Sequence, residues 1–180
     1  MIKVRKRIVA ISGSTRAHSS NEAILKLIAS IYQDVLDVYI FDKLDQLPHF
    51  NPDVDEDHVA QSVADFRSLI DSADGVLICT PEYVFSLPGA LKNALEWTVS
   101  TTVFSNKPFA FIVASGLGEK TFESLELIMN TILQYTIGDH AKLLIQGARA
   151  KVKASGEVAD PETLQAIRNV ADALIAQMNK

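Results

Sequence analysis

The stretch Gly13-Ser14-Thr15-Arg16-Ala17-His18-Ser19-Ser20-Asn21 crowds short donors into a turn that opens directly onto a helical pattern. Backbone N–H groups and the positive end of a helix dipole converge at such a turn, which favours an anion. Hydroxyls at Ser14, Thr15, Ser19 and Ser20, the Asn21 amide and the planar fork of Arg16 suit the oxygens of a phosphate monoester. The loop is neither G-x-G-x-x-G nor G-x-x-x-x-G-K-[ST], which argues against a dinucleotide or a nucleoside triphosphate there. Taken alone, the loop reads more simply as an ordinary capped helix start, with Ser19 or Ser20 as the cap and Gly13 ending a strand. A second segment, Thr80-Pro81-Glu82-Tyr83-Val84-Phe85-Ser86-Leu87-Pro88-Gly89, sets aromatic side chains among polar ones in a proline-stiffened loop against which a flat heteroaromatic ring could lie. Its plainer alternative is a strand-to-helix connection with Phe85 and Trp97 in the core. His18, His49, His58 and His140 have no metal-ligand spacing, so no metal site is expected.

Both segments must be held by something, and the pattern around them is regular. Apolar runs at 8–12, 35–41, 75–79, 109–114 and 143–145 predict five strands, mostly without polar alternation, hence buried on both faces. Helical spacing links them: Ile24, Leu25, Leu27, Ile28 and Ile31 within 21–32, and Val59, Val63, Phe66, Leu69 and Ile70 within 59–70. A third helix begins near Pro88, and a fourth carries Phe122, Leu125, Ile128, Met129, Ile132 and Leu133. A last helix runs from Pro161, with Leu164, Ile167, Ala171, Leu174, Ile175 and Met178 facing inward. Strand and helix alternating in this way predict an α/β fold, a doubly wound parallel sheet with helices on both faces, and its five strands suit the order 2-1-3-4-5. Ligands of such sheets bind outside the carboxyl ends of the strands at the switch point, so the loops after strands one, three and four carry the site. At 180 residues without a linker or repeat, residues 1–180 read as one domain, and Asp53 to Asp57 as a solvated acidic loop.

Composition narrows the partners. With 17 basic and 22 acidic residues the formal charge is −5, which offers no general attraction to nucleic acid or anionic membrane. The basic start Lys3 to Arg7 precedes an apolar run too short for a secretory signal, and no segment approaches a membrane span, so a cytoplasmic location is expected. The lone cysteine, Cys79, lies inside an apolar run and reads as a buried, inert thiol.

Gly13-Ser14-x-Arg16-x-x-Ser19-x-Asn21, Pro81-Glu82-Tyr83 and Pro88-Gly89-x-Leu91-Lys92-Asn93-Ala94-x-x-Trp97 together resemble the NADPH-dependent FMN reductase family, which includes chromate, quinone and azo-dye reductases. The resemblance runs through most of the chain and implies a flavodoxin-like fold, bound FMN, and homodimers or homotetramers with active sites near subunit interfaces. By it, Ser14, Arg16, Ser19 and Asn21 hold the FMN phosphate. Pro81, Glu82 and Tyr83 border the isoalloxazine ring, and Ser115 and Gly116 approach it from the loop after strand four. Leu47-Pro48-His49-Phe50-Asn51 resembles a segment that reaches a neighbouring subunit's flavin. Val84 stands beside the ring-bordering triplet where relatives often carry Asn; it has no side-chain hydrogen bond to offer and resists positive φ. The implied activity is electron transfer from NADPH or NADH through FMN to a small acceptor: a quinone, a free flavin, an azo compound or a metal oxyanion. The chemistry would be the flavin's, with no catalytic side chain required. A flavin carrier exchanging single electrons with protein partners, or a flavin-free binding module, remains an alternative on the same fold.

Overall fold

The computed structural model describes residues 4–54, 59–153 and 155–180. Its five strands are β1 (Lys6–Ser12), β2 (Leu36–Phe41), β3 (Gly75–Thr80), β4 (Phe109–Ala114) and β5 (Lys142–Ile145). They form one all-parallel sheet of order β2-β1-β3-β4-β5, as the alternation of elements predicts. The helices are α1 (Ser20–Ile31), α2 (Gln61–Asp71), α3 (Gly89–Glu96), α4 (Glu119–Leu133), the four-residue α5 (Ala148–Lys151) and α6 (Pro161–Gln177). Of the acidic loop, 55–57 lies outside the described residues, as does His58.

Position in the sheet decides how far the apolar strands are buried. Every residue of β3 and β4 is buried, as is β1 from Ile8 on. The edge strand β2 instead alternates, with Asp37 and Tyr39 exposed, and β5 is mostly half-buried, because an edge has a neighbour on one side only. On α6 the inward set is Ile167, Val170, Ala171, Leu174 and Met178, with Leu164 and Ile175 half-buried. Packing fixes the helices: Phe66 of α2 meets Phe41 of β2 at 4.9 Å between ring centroids, and Phe122 of α4 meets Phe111 of β4 at 5.0 Å. Asp160 caps α6 by accepting the Thr163 N–H at 3.2 Å; it also accepts the Thr163 hydroxyl, the bond that chiefly holds its carboxyl below the ordinary pKa, and Pro161 takes the first helical position.

The register brings the strand ends together. Ser12 pairs with Cys79, and Thr80 with Val113, so the loops after β1, β3 and β4 leave the sheet side by side. The approach is close: the Gly13 N–H donates to the Cys79 carbonyl at 2.8 Å, and a Cβ on Gly13 would stand 2.2 Å from Thr80 Oγ1. Only glycine fits there.

Candidate functional site

In the loop after β1, Ser14 is buried and its Oγ accepts the Arg16 N–H at 3.3 Å, while the Arg16 side chain is exposed. Ser19 is the cap of α1, its Oγ accepting the Glu22 N–H at 3.1 Å. The amides of Ser20 and Asn21 in that first turn have no acceptor within the helix. Asn21 is buried and does two structural jobs: its Nδ2 donates to the Ala114 carbonyl at 3.3 Å, and its Oδ1 accepts the Cys79 S–H at 3.3 Å. One amide thus ties α1 to β3 and β4. Burial pushes the Cys79 thiol far above its ordinary pKa, which keeps it protonated and unreactive.

The loop after β3 is locked to the loop after β4. Gly118, at φ +99°, precedes α4 and has no side chain to cap it. Glu82 does so from the other loop, its Oε1 accepting the Gly118 N–H at 3.2 Å and its Oε2 the Thr121 N–H at 3.0 Å. A carboxylate there also complements the helix dipole. The Glu82 N–H in turn donates to Ser115 Oγ at 3.2 Å. Beyond it, Tyr83 and Ser86 exchange backbone bonds of 3.0 and 3.1 Å around a two-residue turn, Val84-Phe85, with both φ values positive at 50° and 58°. Phe85 is therefore no core residue: it is 68% exposed and Val84 94%, whereas Trp97 is buried.

These loops enclose a cavity of about 590 Å³, within the usual range of small-molecule sites. Ser14, Arg16, Asn21, Pro81, Glu82, Tyr83, Ser115 and Gly116 line it. Ser19 and Val84 are not in its wall; Ser19 acts on it through the helix cap, and Val84 points its apolar side chain to solvent from the adjoining turn. The rest of the wall is Ser20, Ala114 and the loop after β5, Gly147 to Ala150. Sequence reasoning passed over that last loop. Its signal was positional, since β5 ends where β4 does, but Gln146-Gly147-Ala148-Arg149 carries no motif of its own.

Pro48, His49 and Phe50 do not reach this cavity. They are strapped to α3: Asn93 Nδ2 and Trp97 Nε1 both donate to the Pro48 carbonyl, at 2.9 and 2.8 Å, and Asn93 Oδ1 accepts the Phe50 N–H at 2.8 Å. The Phe50 ring meets Trp97 edge-on at 5.1 Å.

The donor chemistry differs between the ends of the cavity. Around the start of α1 stand hydroxyls, first-turn amides and the Arg16 guanidinium, a set for an oxyanion. Pro81, Tyr83 and Gly116 offer flat or side-chain-free wall, and nothing lies within 4 Å of where a Gly116 Cβ would stand. A planar ring carrying a phosphate on a polar tail, as FMN does, matches both ends.

Comparison with known proteins agrees. The sequence model described as NADPH-dependent FMN reductase matches residues 6–150. The NADH-dependent flavin reductase subunit 2 of Lactobacillus johnsonii is 30% identical over 171 residues, covering 89% of this chain and 91% of that protein. The 2-hydroxy-1,4-benzoquinone reductase of a Burkholderia species is 30% identical over 173 residues, covering 92% of each. Among solved structures, the NAD(P)H:acceptor oxidoreductase FerB of Paracoccus denitrificans superposes with a TM-score of 0.78 at 24% identity over 97% of both chains, a likeness of fold.

Proposed function

This chain belongs to the NADPH-dependent FMN reductase family, and on that premise we propose that the cavity at the carboxyl ends of β1, β3, β4 and β5 is its FMN site. The protein is an FMN-dependent NAD(P)H oxidoreductase that delivers electrons to a small acceptor. The observation that carries the assignment of the site is the single cavity with an oxyanion set at one end and a flat, partly side-chain-free wall at the other.

Ser14, Arg16 and the Asn21 first-turn amide would hold the phosphate, with Ser19 fixing the helix start from which that amide points. Pro81, Glu82, Tyr83, Ser115 and Gly116 would border the ring. When bound, FMN supplies the two-electron chemistry between reduced nicotinamide and acceptor. The protein's share is position and field: it anchors the phosphate, and it keeps the ring wall rigid through the Glu82 cap. No side chain is assigned a proton or a covalent bond.

Quinones and flavins are the acceptor classes we favour, with azo compounds and metal oxyanions as further candidates. Residues 1–180 are taken as one domain around one sheet. We assign the cytoplasm, where reduced nicotinamide is supplied; no helix among the described residues is long and apolar enough to cross a membrane. A homodimer or homotetramer is proposed, with contact through the apolar groove of about 250 Å³ between α3 and α4, beside which Val99 and Leu127 are 66% and 71% exposed.

Steady-state kinetics tests the function. With flavin-stripped protein, oxidation of NADPH by a benzoquinone should rise with added FMN until the chain is loaded and then level off. A rate indifferent to FMN would overturn the assignment.

A further inference from the structure

We propose that Arg149 is a second cationic anchor for the FMN phosphate, supplied by the loop after β5 and acting together with Arg16. The inference rests on the FMN site proposed above and adds to it a residue outside the motifs of the β1 loop.

Charge balance motivates it. A phosphate monoester carries roughly −1.5 to −2 at neutral pH. Arg16 and the start of α1, the latter equivalent to about half a charge, leave part of that uncompensated. The one carboxylate in the cavity wall, Glu82, is held in the α4 cap. Arg149 is the other cation in that wall.

Its placement is built rather than accidental. Ser20, in the first turn of α1, donates its hydroxyl to the Val152 carbonyl at 3.2 Å, which pins α5 beside the oxyanion end. At the other end of the loop, the Gly147 and Ala148 N–H groups donate to the Gly116 and Ser115 carbonyls at 3.1 and 3.0 Å. Gly147 makes the tight entry at φ +63°. The Arg149 backbone is thus clamped between the phosphate loop and the loop after β4. Of the neighbouring cations, Lys153 pairs with Glu157 at 2.9 Å, and Lys151 is not in the cavity wall. Among the described residues the Arg149 guanidinium has no protein partner. An arginine held at that wall contributes planar donors matched to phosphate oxygens.

The consequence is selection for the phosphorylated flavin. Fluorescence titration of flavin-stripped protein measures it, with FMN and riboflavin as the two probes and Arg149→Ala, Arg149→Lys and Lys151→Ala as the variants. Arg149→Ala should weaken FMN about tenfold and leave riboflavin unchanged, Arg149→Lys should restore part of the loss, and Lys151→Ala should change neither. The FMN affinity of Arg149→Ala should also fall less steeply with added salt. Equal FMN affinity in wild type and Arg149→Ala, equal loss of FMN in Lys151→Ala, or equal loss of both flavins in Arg149→Ala would overturn the inference while leaving the FMN site intact. So would a raised KM for NADPH but not NADH with FMN affinity unchanged, which would give Arg149 to the nicotinamide nucleotide's phosphate. A wild-type chain that binds neither flavin would bring down the site assignment itself, and this inference with it.

Discussion

Val84 carries a branched side chain in left-handed backbone at φ 50°, with 94% of its surface in solvent, so no packing compensates the strain. That conformation costs a non-glycine residue about 1–3 kcal/mol. Asn tolerates it far better, because its short polar side chain bonds locally. Val84→Asn should therefore stabilise the protein by about 1 kcal/mol, a rise of roughly 2–4 °C in a thermal melt for a chain of this size. A lower melting temperature would mean that the exposed isopropyl group meets something in solution, the partner subunit being the first candidate. Gly13→Ala should go the other way, since its Cβ would stand 2.2 Å from Thr80 Oγ1 and would part the ends of β1 and β3. A loss of about 1–3 kcal/mol in urea melts is expected, together with weaker FMN retention. Sequence made the departure at Val84 visible, because residue type and φ preference are local properties. That Asn21 spends its side chain on Ala114 and Cys79 was not visible, because those partners are distant in the chain.

At the scale of elements, the cap on α4 is borrowed from another loop. Removing the Glu82 carboxylate leaves the Gly118 and Thr121 amides without acceptors, so Glu82→Ala should cost about 1–3 kcal/mol and speed hydrogen exchange at those two amides. Unchanged exchange would refute the cap. The proposed contact through the groove between α3 and α4 makes a separate prediction: in sedimentation velocity wild type should run as a dimer or tetramer and Leu127→Glu as a monomer, with the far-UV spectrum intact. An unchanged sedimentation coefficient would place the contact elsewhere. The strands were legible because apolar runs repeat between helical patterns; handedness makes the sheet parallel and doubly wound, and five strands suit the order 2-1-3-4-5. Less legible was the loop after β5, which enters the site through the ladder with β4 rather than by any motif. The motif residues Asn93 and Trp97 proved to strap the segment from Pro48 to Phe50 to α3, a role that spacing along the chain does not reveal.

For the whole molecule, burial of neutral acids sets the alkaline limit. Burial drives the Cys79 thiol well above its ordinary pKa and the Tyr135 phenol up to about 12. Both groups stay protonated in the fold and ionise when unfolded, so their contribution is complete below the unfolded values, about 8.5 and 10, and is lost as pH rises above them. The unfolding free energy from urea melts should fall from about pH 9 upward, by about 1.4 kcal/mol per pH unit for each group in play, and Cys79→Ala should flatten the first part of that decline. A midpoint constant to pH 10 would contradict the burial of the thiol. The central claim, that this fold holds FMN between a nicotinamide nucleotide and a small acceptor, has a more direct measurement: the anaerobic visible spectrum of FMN-loaded, desalted protein. Flavin absorbance that bleaches with stoichiometric NADPH and returns with a quinone is the expected result. No retained flavin would contradict the site, and retained flavin that NADPH cannot bleach would contradict the reductase and leave a carrier.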